Sequence, residues 1–561
     1  MKNAVIIITV IFTWTSSFSQ ENIQPSKKQW LEDVNFLARK LVEVHPMLYR
    51  RISKNDFDLR IKNIKKDILL QDDLGIKIRF IELVAAIKDG HTRLVPNGPF
   101  GFNYIFPVRF YQFKDGLFVT AVEKGYPQLA GAKVLEIGEV SVEEALLRIS
   151  KLWNNENEYR KLEGSVFYLS YPEAMKELDI IKDIDKLNLK VRLRNGQTKK
   201  FAIKNMVRDF NMDFIYWGEM WGPNGQDVNY ITGINGLPSR SYYNKDNDSL
   251  PLHLRYRSTF WMNYNVQKEY LYVQINSISD SQNETFDSFL QKIWGVLDDK
   301  KVQKFILDIR YNVGGDGSKV NKIVHSIICR PHINKSGQFF VILGRTTFSA
   351  AVMLTSSLKK HTNATFIGSP PSAFYNHCGD SEGFFLPNSK MELYVSSEWH
   401  QSYSINDQRR LIPLDVPIEF TSTDYFGKKD PILDFIVKDK YVSIRDIVLN
   451  ENVNKGIEVF QERKEAFGAT PWWSGISEYQ WTELAYELES FGRLEEALKI
   501  HRFNLDENPK SWKACDNLGS ILAKMGMNKE AIFWYNKALR LDSLNFNSNY
   551  QKKQIEKLSQ E

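Results

Sequence analysis

Cysteine is nearly absent, with only Cys329, Cys378 and Cys515 in 561 residues. Odd in number and far apart, they exclude a disulfide framework and supply no metal-ligand spacing. Charge of one sign is also missing. Net charge is +6, from 74 basic and 68 acidic residues, and no basic cluster stands out, so nucleic acid is not an expected partner. Beyond the N-terminus no apolar run approaches the roughly 20 residues that span a bilayer. The H-E-x-x-H of a metal peptidase and the G-x-S-x-G elbow of an α/β-hydrolase esterase are both lacking. Ser356-Ser357-Leu358-Lys359 fits S-x-x-K, but the companion β-lactamase motifs do not accompany it, and it reads as chance. No metal or cofactor is expected.

Aromatic residues, by contrast, are plentiful at 13%, which favours well-filled cores or a hydrophobic substrate surface. The first 19 residues read as a secretory signal peptide: Lys2, an apolar run from Val5 to Trp14, and a small-x-small site at Ser17-Phe18-Ser19. The alternative is an uncleaved N-terminal anchor. Cleavage predicts a periplasmic or secreted protein with no membrane span. The remaining chain, about 540 residues, is too long for one core and predicts three or four domains.

Residues 20–103 read as a helical part, with apolar residues at Phe36, Leu37, Leu41 and Val44 and again at Phe80, Leu83, Val84 and Ile87. The second run ends in Asp89-Gly90-His91-Thr92. There Gly90 is the expected helix stop, and His91 projects from the turn. Residues 104–205 become strand-rich around one short helix, Val142 to Leu152. Such a unit holds an extended peptide by strand addition or is a plain structural insert. The tract from Asp209 to Tyr264, with Trp217, Trp221 and Asn224-Gly225, gives no assignment beyond loops and short strands.

From Tyr270 strands and helices alternate, which predicts a parallel sheet with crossover helices and a site at the strands' carboxyl ends. Phe339-Phe340-Val341-Ile342-Leu343 is a buried strand, and helix formers follow Ser349. On that stretch alone a helix-capping serine is the simpler reading. A nucleophile beside free backbone N–H groups is the other, and it depends on partners elsewhere. Asn312-Val313-Gly314-Gly315 follows the neighbouring strand, where paired glycines allow a tight turn and present N–H groups.

Asp89-Gly90-His91-Thr92, Leu307 to Asp316, and Thr347-Phe348-Ser349-Ala350-Ala351, in this order, resemble the tail-specific (C-terminal processing) serine peptidase family. The nearer likeness is to its tricorn-core and interphotoreceptor-retinoid-binding-protein branch, over roughly residues 30 to 440. The resemblance implies a ClpP/crotonase-like α/β core over residues 206–440, interrupted by a PDZ-like β domain, and a serine endopeptidase acting on peptides or unfolded proteins. It makes Ser349 the nucleophile and gives the oxyanion hole to the N–H of Ala350 with that of Gly314 or Gly315. Tail-specific members draw their base from a lysine on the next strand, but Ala364 to Phe374 contains none. Tricorn-like members use the histidine of the first motif, here His91. The third group is an acid before a Pro-Asp pair, which points to Asp407, with Glu398 in reserve. The family's Gly-Glu-Pro and Pro-Asp are Gly368-Ser369-Pro370 and Pro413-Leu414-Asp415 here. These departures suit a weakly active or inactive relative that binds partners instead.

After a connector, residues 441–476, the C-terminal region 477–561 repeats itself. Leu484 and Leu518, Leu488 and Leu522, Gly492 and Gly526, and Ala497 and Ala531 are each 34 apart, the tetratricopeptide period. The helical run Lys455 to Phe467 reads as half of another repeat, or else the array docks on the core. The array is either a groove for a peptide or protein partner or a structural cap.

Overall fold

The computed structural model describes residues 25–560, apart from 96–100, 124, 208–219, 222–226, 229–250, 255–257, 405–406, 408, 439–440 and 545. The expected signal segment and most of the tract from Asp209 to Tyr264, Trp217 and Asn224-Gly225 included, thus lie outside the described residues.

Alternation in the apolar strands builds the central sheet. Phe305 and Leu307 face one core with Phe339, Val341 and Leu343, while Ile306, Phe340 and Ile342 face another. Strands buried on both faces read as continuous apolar runs and need helices on either side. The sheet runs Phe260–Asn265, Tyr270–Ile275, Lys304–Asp308, Phe339–Leu343, Thr365–Gly368, Val416–Pro417. All neighbours are parallel except the first pair. Helices Phe286–Asp299, Val320–Ile328 and Ala350–His361 make the crossovers. The expected α/β class is therefore the observed one.

Helices Lys27–Val44, Lys54–Leu70 and Asp73–Ala85 share a third core with the β unit that follows. That unit pairs Gly116–Glu123 with Val108–Phe113 and Lys133–Ile137, and continues through Lys186–Arg192 to Thr198–Lys204. The expected short helix is present as Val142–Ile149. Two more, Glu158–Tyr168 and Pro172–Glu177, contradict a reading with a single helix. The signal for the first was Asn157, whose side chain accepts the Arg160 N–H at 2.8 Å as an N-cap.

The C-terminal helices Glu478–Ser490, Leu494–Glu507, Trp512–Lys524, Asn528–Leu541 and Ser548–Gln560 pack each against the next. Gly492 and Gly526 hold φ of 74° and 75° at equivalent turns, where a left-handed residue closes a helix. The expected connector is largely helical, as Ile444–Asn450 and Val453–Phe467. Phe460 meets Trp481 at 5.1 Å, so this pair extends the array's own core. Trp472 then anchors the region to the α/β part: its carbonyl accepts from Leu414 N–H at 2.8 Å, and its ring meets Tyr159 edge-on at 5.2 Å. Among the described residues no helix is long and apolar enough to cross a membrane.

Candidate functional site

Ser349 stands at the sharp reversal between strand Phe339–Leu343 and helix Ala350–His361. Its φ of 52° and ψ of −127° lie where a non-glycine residue costs about 1–3 kcal/mol. Neighbouring bonds hold it there. Thr347 Oγ1 donates to Ile309 O at 2.8 Å, and Phe348 N–H donates to Asn312 O at 2.9 Å. The capping reading fails, because the Ser349 hydroxyl accepts no backbone N–H of its helix.

The loop after strand Lys304–Asp308 is fixed from below. Arg310 pairs with Asp308 at 2.8 Å and with Asp430 at 2.9 Å, all three buried. It thereby ties the loop to the chain's later Asp424–Leu433 segment. Gly314 has φ +111°, and a methyl on it would lie 2.6 Å from Ser349 Cβ, 3.1 Å from its Oγ and 3.2 Å from Ala350 N. Only glycine leaves that space open. Its own N–H donates to Asn312 Oδ1 at 2.8 Å, so of the three expected oxyanion donors Gly314 is engaged. Among the described residues no hydrogen bond occupies the N–H of Ala350 or Gly315.

Helix Asp73–Ala85 ends at Ala86, and the left-handed residue is Lys88, φ 57°. Gly90 is thus not the helix stop. It permits close approach instead, since a methyl there would sit 2.7 Å from Glu156 Oε2 and 2.8 Å from the Phe348 ring. Asp89 anchors the turn, accepting from the Thr92 and Ser396 hydroxyls at 2.6 Å each and contacting His45 Nε2 at 3.2 Å. His45, Asp89 and Cys378 lie close enough for a metal. Yet His45 Nδ1 accepts the Met47 N–H at 3.1 Å, which leaves the imidazole's nitrogens spent on protein.

His91 comes to the elbow. Its ring stacks on Phe348, the residue before Ser349, with centroids 4.2 Å apart, and on His377 at 5.7 Å. Neither ring nitrogen has a hydrogen-bond partner among the described residues. Burial, with the nearby His377, pushes the ring down to about 3, so it stands neutral, the form that accepts a proton. A labelling rate that depends on it should hold its neutral-pH value down to pH 5. An exposed histidine, titrating near 6.5, would lose roughly 30-fold. Rates of fluorophosphonate labelling from pH 8 to pH 5 decide this.

Asp407 does not join them. Its carboxylate grips Arg409 through Nε at 3.0 Å and Nη2 at 2.5 Å. Burial alone would raise its pKa, and Arg409 outweighs this and lowers it. A salt bridge two residues away forms locally, whereas reaching His91 needs a distant loop to fold back. Glu398 is exposed on strand Glu392–His400 and makes no bond to the ring either. Hence Asp407→Asn should change the labelling rate by less than about twofold, where loss of an orienting aspartate costs about 10⁴. A drop of orders of magnitude would restore it to the site.

Sequence reasoning missed Arg160, Glu156 and His377. The guanidinium of Arg160 lies 4.4 Å from the Phe348 ring centroid, and Glu156 accepts the Gly90 N–H at 3.2 Å. Burial pushes Glu156 up to about 7.

Residues 269–333 match the model of peptidase family S41, a span that includes the Gly314 turn. Residues 513–543 match a tetratricopeptide repeat. No curated protein matches the chain. Among solved structures, mature CPAF complexed with lactacystin is similar at TM-score 0.51 and 10% identity, over 76% of this chain and 100% of that one. Mature CPAF alone gives 0.50 and 11%, over 76% and 98%. A putative S41 protease from Bacteroides fragilis gives 0.31 and 10%, over 72% and 96%. The likeness to CPAF is one of fold. The chain thus carries one segment similar to peptidase family S41 and, near its C-terminus, one similar to a tetratricopeptide repeat.

Proposed function

We propose that the protein is a tail-specific, tricorn-like serine endopeptidase in which Ser349 attacks the scissile carbonyl, giving an acyl-enzyme that water then hydrolyses. The strained backbone of Ser349 carries this reading: a serine held at φ 52° without a capping role marks a site where function maintains the cost. His91 takes the hydroxyl proton and returns it to the leaving amine. Its ring rests against Phe348, the residue before Ser349. The N–H of Ala350, free at a helix start, receives the developing oxyanion, with that of Gly315 as its partner. Stacking on Phe348 and His377 supports the imidazole in place of an acid. The apolar segment from Val5 to Trp14 supports export to the periplasm or beyond.

A fluorophosphonate probe tests the reading. Labelling should map to Ser349 by peptide mass analysis and fall sharply in His91→Ala. A second reading, a peptide-binding scaffold acting through its repeats, is favoured by the ring nitrogens of His91, which no acid among the described residues hydrogen-bonds. Absence of labelling with peptide binding retained would establish it in place of the enzyme.

A further inference from the structure

Beside the His91 turn lies a cavity of about 140 Å³ between helix Asp73–Ala85, strand Arg93–Val95, and the segment from Leu152 to Tyr168. Its walls are mostly apolar and aromatic, with Trp153, Phe167, Tyr168 and Tyr394 among them. Two guanidiniums reach the same space. The Arg93 guanidinium lies 4.4 Å from the Tyr394 ring centroid and makes neither a hydrogen bond nor an ion pair among the described residues. Arg160, over nine-tenths buried, spends Nη1 on Glu163 at 3.2 Å and Nη2 on Gly90 O at 3.2 Å. Its Nε–H has no hydrogen-bond partner among the described residues.

A buried guanidinium donor without an acceptor is costly, and a carboxylate is the group whose geometry satisfies it best. A cavity near 150 Å³ with apolar walls holds a benzene-sized body. The acid on the lining, Glu392, is engaged by the Tyr394 hydroxyl at 3.2 Å. It would repel a dianion more than a monoanion. We propose that this cavity binds a monocarboxylate with an aromatic or bulky apolar body, its carboxylate held by Arg93 and Arg160 and its body against Trp153, Phe167 and Tyr168. Through the Arg160 bond to Gly90 O, the ligand would sit one residue from His91 without touching it. The assignment does not depend on peptidase activity.

Calorimetric titration of the full chain with 3-phenylpropionate tests the site. Binding is expected, with none by the neutral 3-phenylpropionamide and none by sulfate, which lacks the body. Arg93→Gln should weaken binding about tenfold or more, and Ala85→Leu, which fills the cavity while keeping both charges, should abolish it. Thermal unfolding of each variant checks that the fold is kept. A tripeptide ending in phenylalanine separates the sources. Binding as the free acid and not as the amide assigns the site to a peptide end, while failure of both with 3-phenylpropionate still bound assigns it to a free small acid. No heat with 3-phenylpropionate, equal binding of the amide or of sulfate, or wild-type affinity in Arg93→Gln would each overturn the proposal.

Discussion

Replacing Ser349 by alanine should abolish fluorophosphonate labelling and lower peptide hydrolysis by a factor on the order of 10³ to 10⁶, the range seen when a serine nucleophile is removed. The residual rate would come from binding and oxyanion donors alone. The substitution also separates chemistry from strain. Alanine keeps the unfavourable φ of 52°, whereas glycine adopts it freely. Ser349→Gly should therefore be more stable than Ser349→Ala by about 1 kcal/mol or more, measured by urea unfolding. Both variants should be equally dead. An alanine variant that still labels at the wild-type rate would place the nucleophile elsewhere, and equal stability of the two would mean that the elbow stores no strain.

Replacing Gly314 should be nearly as damaging, for a different reason. A methyl there would meet Ser349 Cβ at 2.6 Å and stand within 3.2 Å of Ala350 N, where the reacting oxygen must pass. The φ of +111° adds strain to the clash. By obstructing the Ala350 N–H, Gly314→Ala should lower the labelling rate by about 10²–10³, the cost of an oxyanion donor, and Gly314→Val by more. Gly317 provides the control. A methyl on it meets only the flexible end of Met353, at 3.1 Å, so Gly317→Ala should label like the wild type. If Gly314→Ala also does, the opening beside Ser349 is not where the substrate carbonyl lies.

Much of this was legible before any coordinates. The apolar strands at 305–309 and 339–343 and the 34-residue period are local patterns, and local patterns survive in sequence because burial and helix packing act on residues close together. Other features were misread because a short-range signal had two physical uses. Gly90 resembles a helix stop, but its lack of a side chain serves the contact with Glu156 and Phe348. Asp407 stands at a plausible distance from Pro413, yet Arg409 lies nearer and takes the carboxylate. Helix Glu158–Tyr168 was passed over although its cap, Asn157, was visible.

By itself the sequence determined the α/β alternation, the order of the three motifs and the helical repeats, because each depends on neighbours within a turn or a strand. Only the tertiary structure decided that Ser349 takes a left-handed backbone and that His91 stacks on Phe348 with no acid among the described residues hydrogen-bonded to its ring. It also decided that Arg93 and Arg160 share one cavity. Those outcomes rest on contacts between segments remote along the chain, and which partner a side chain meets there is set by how whole cores pack.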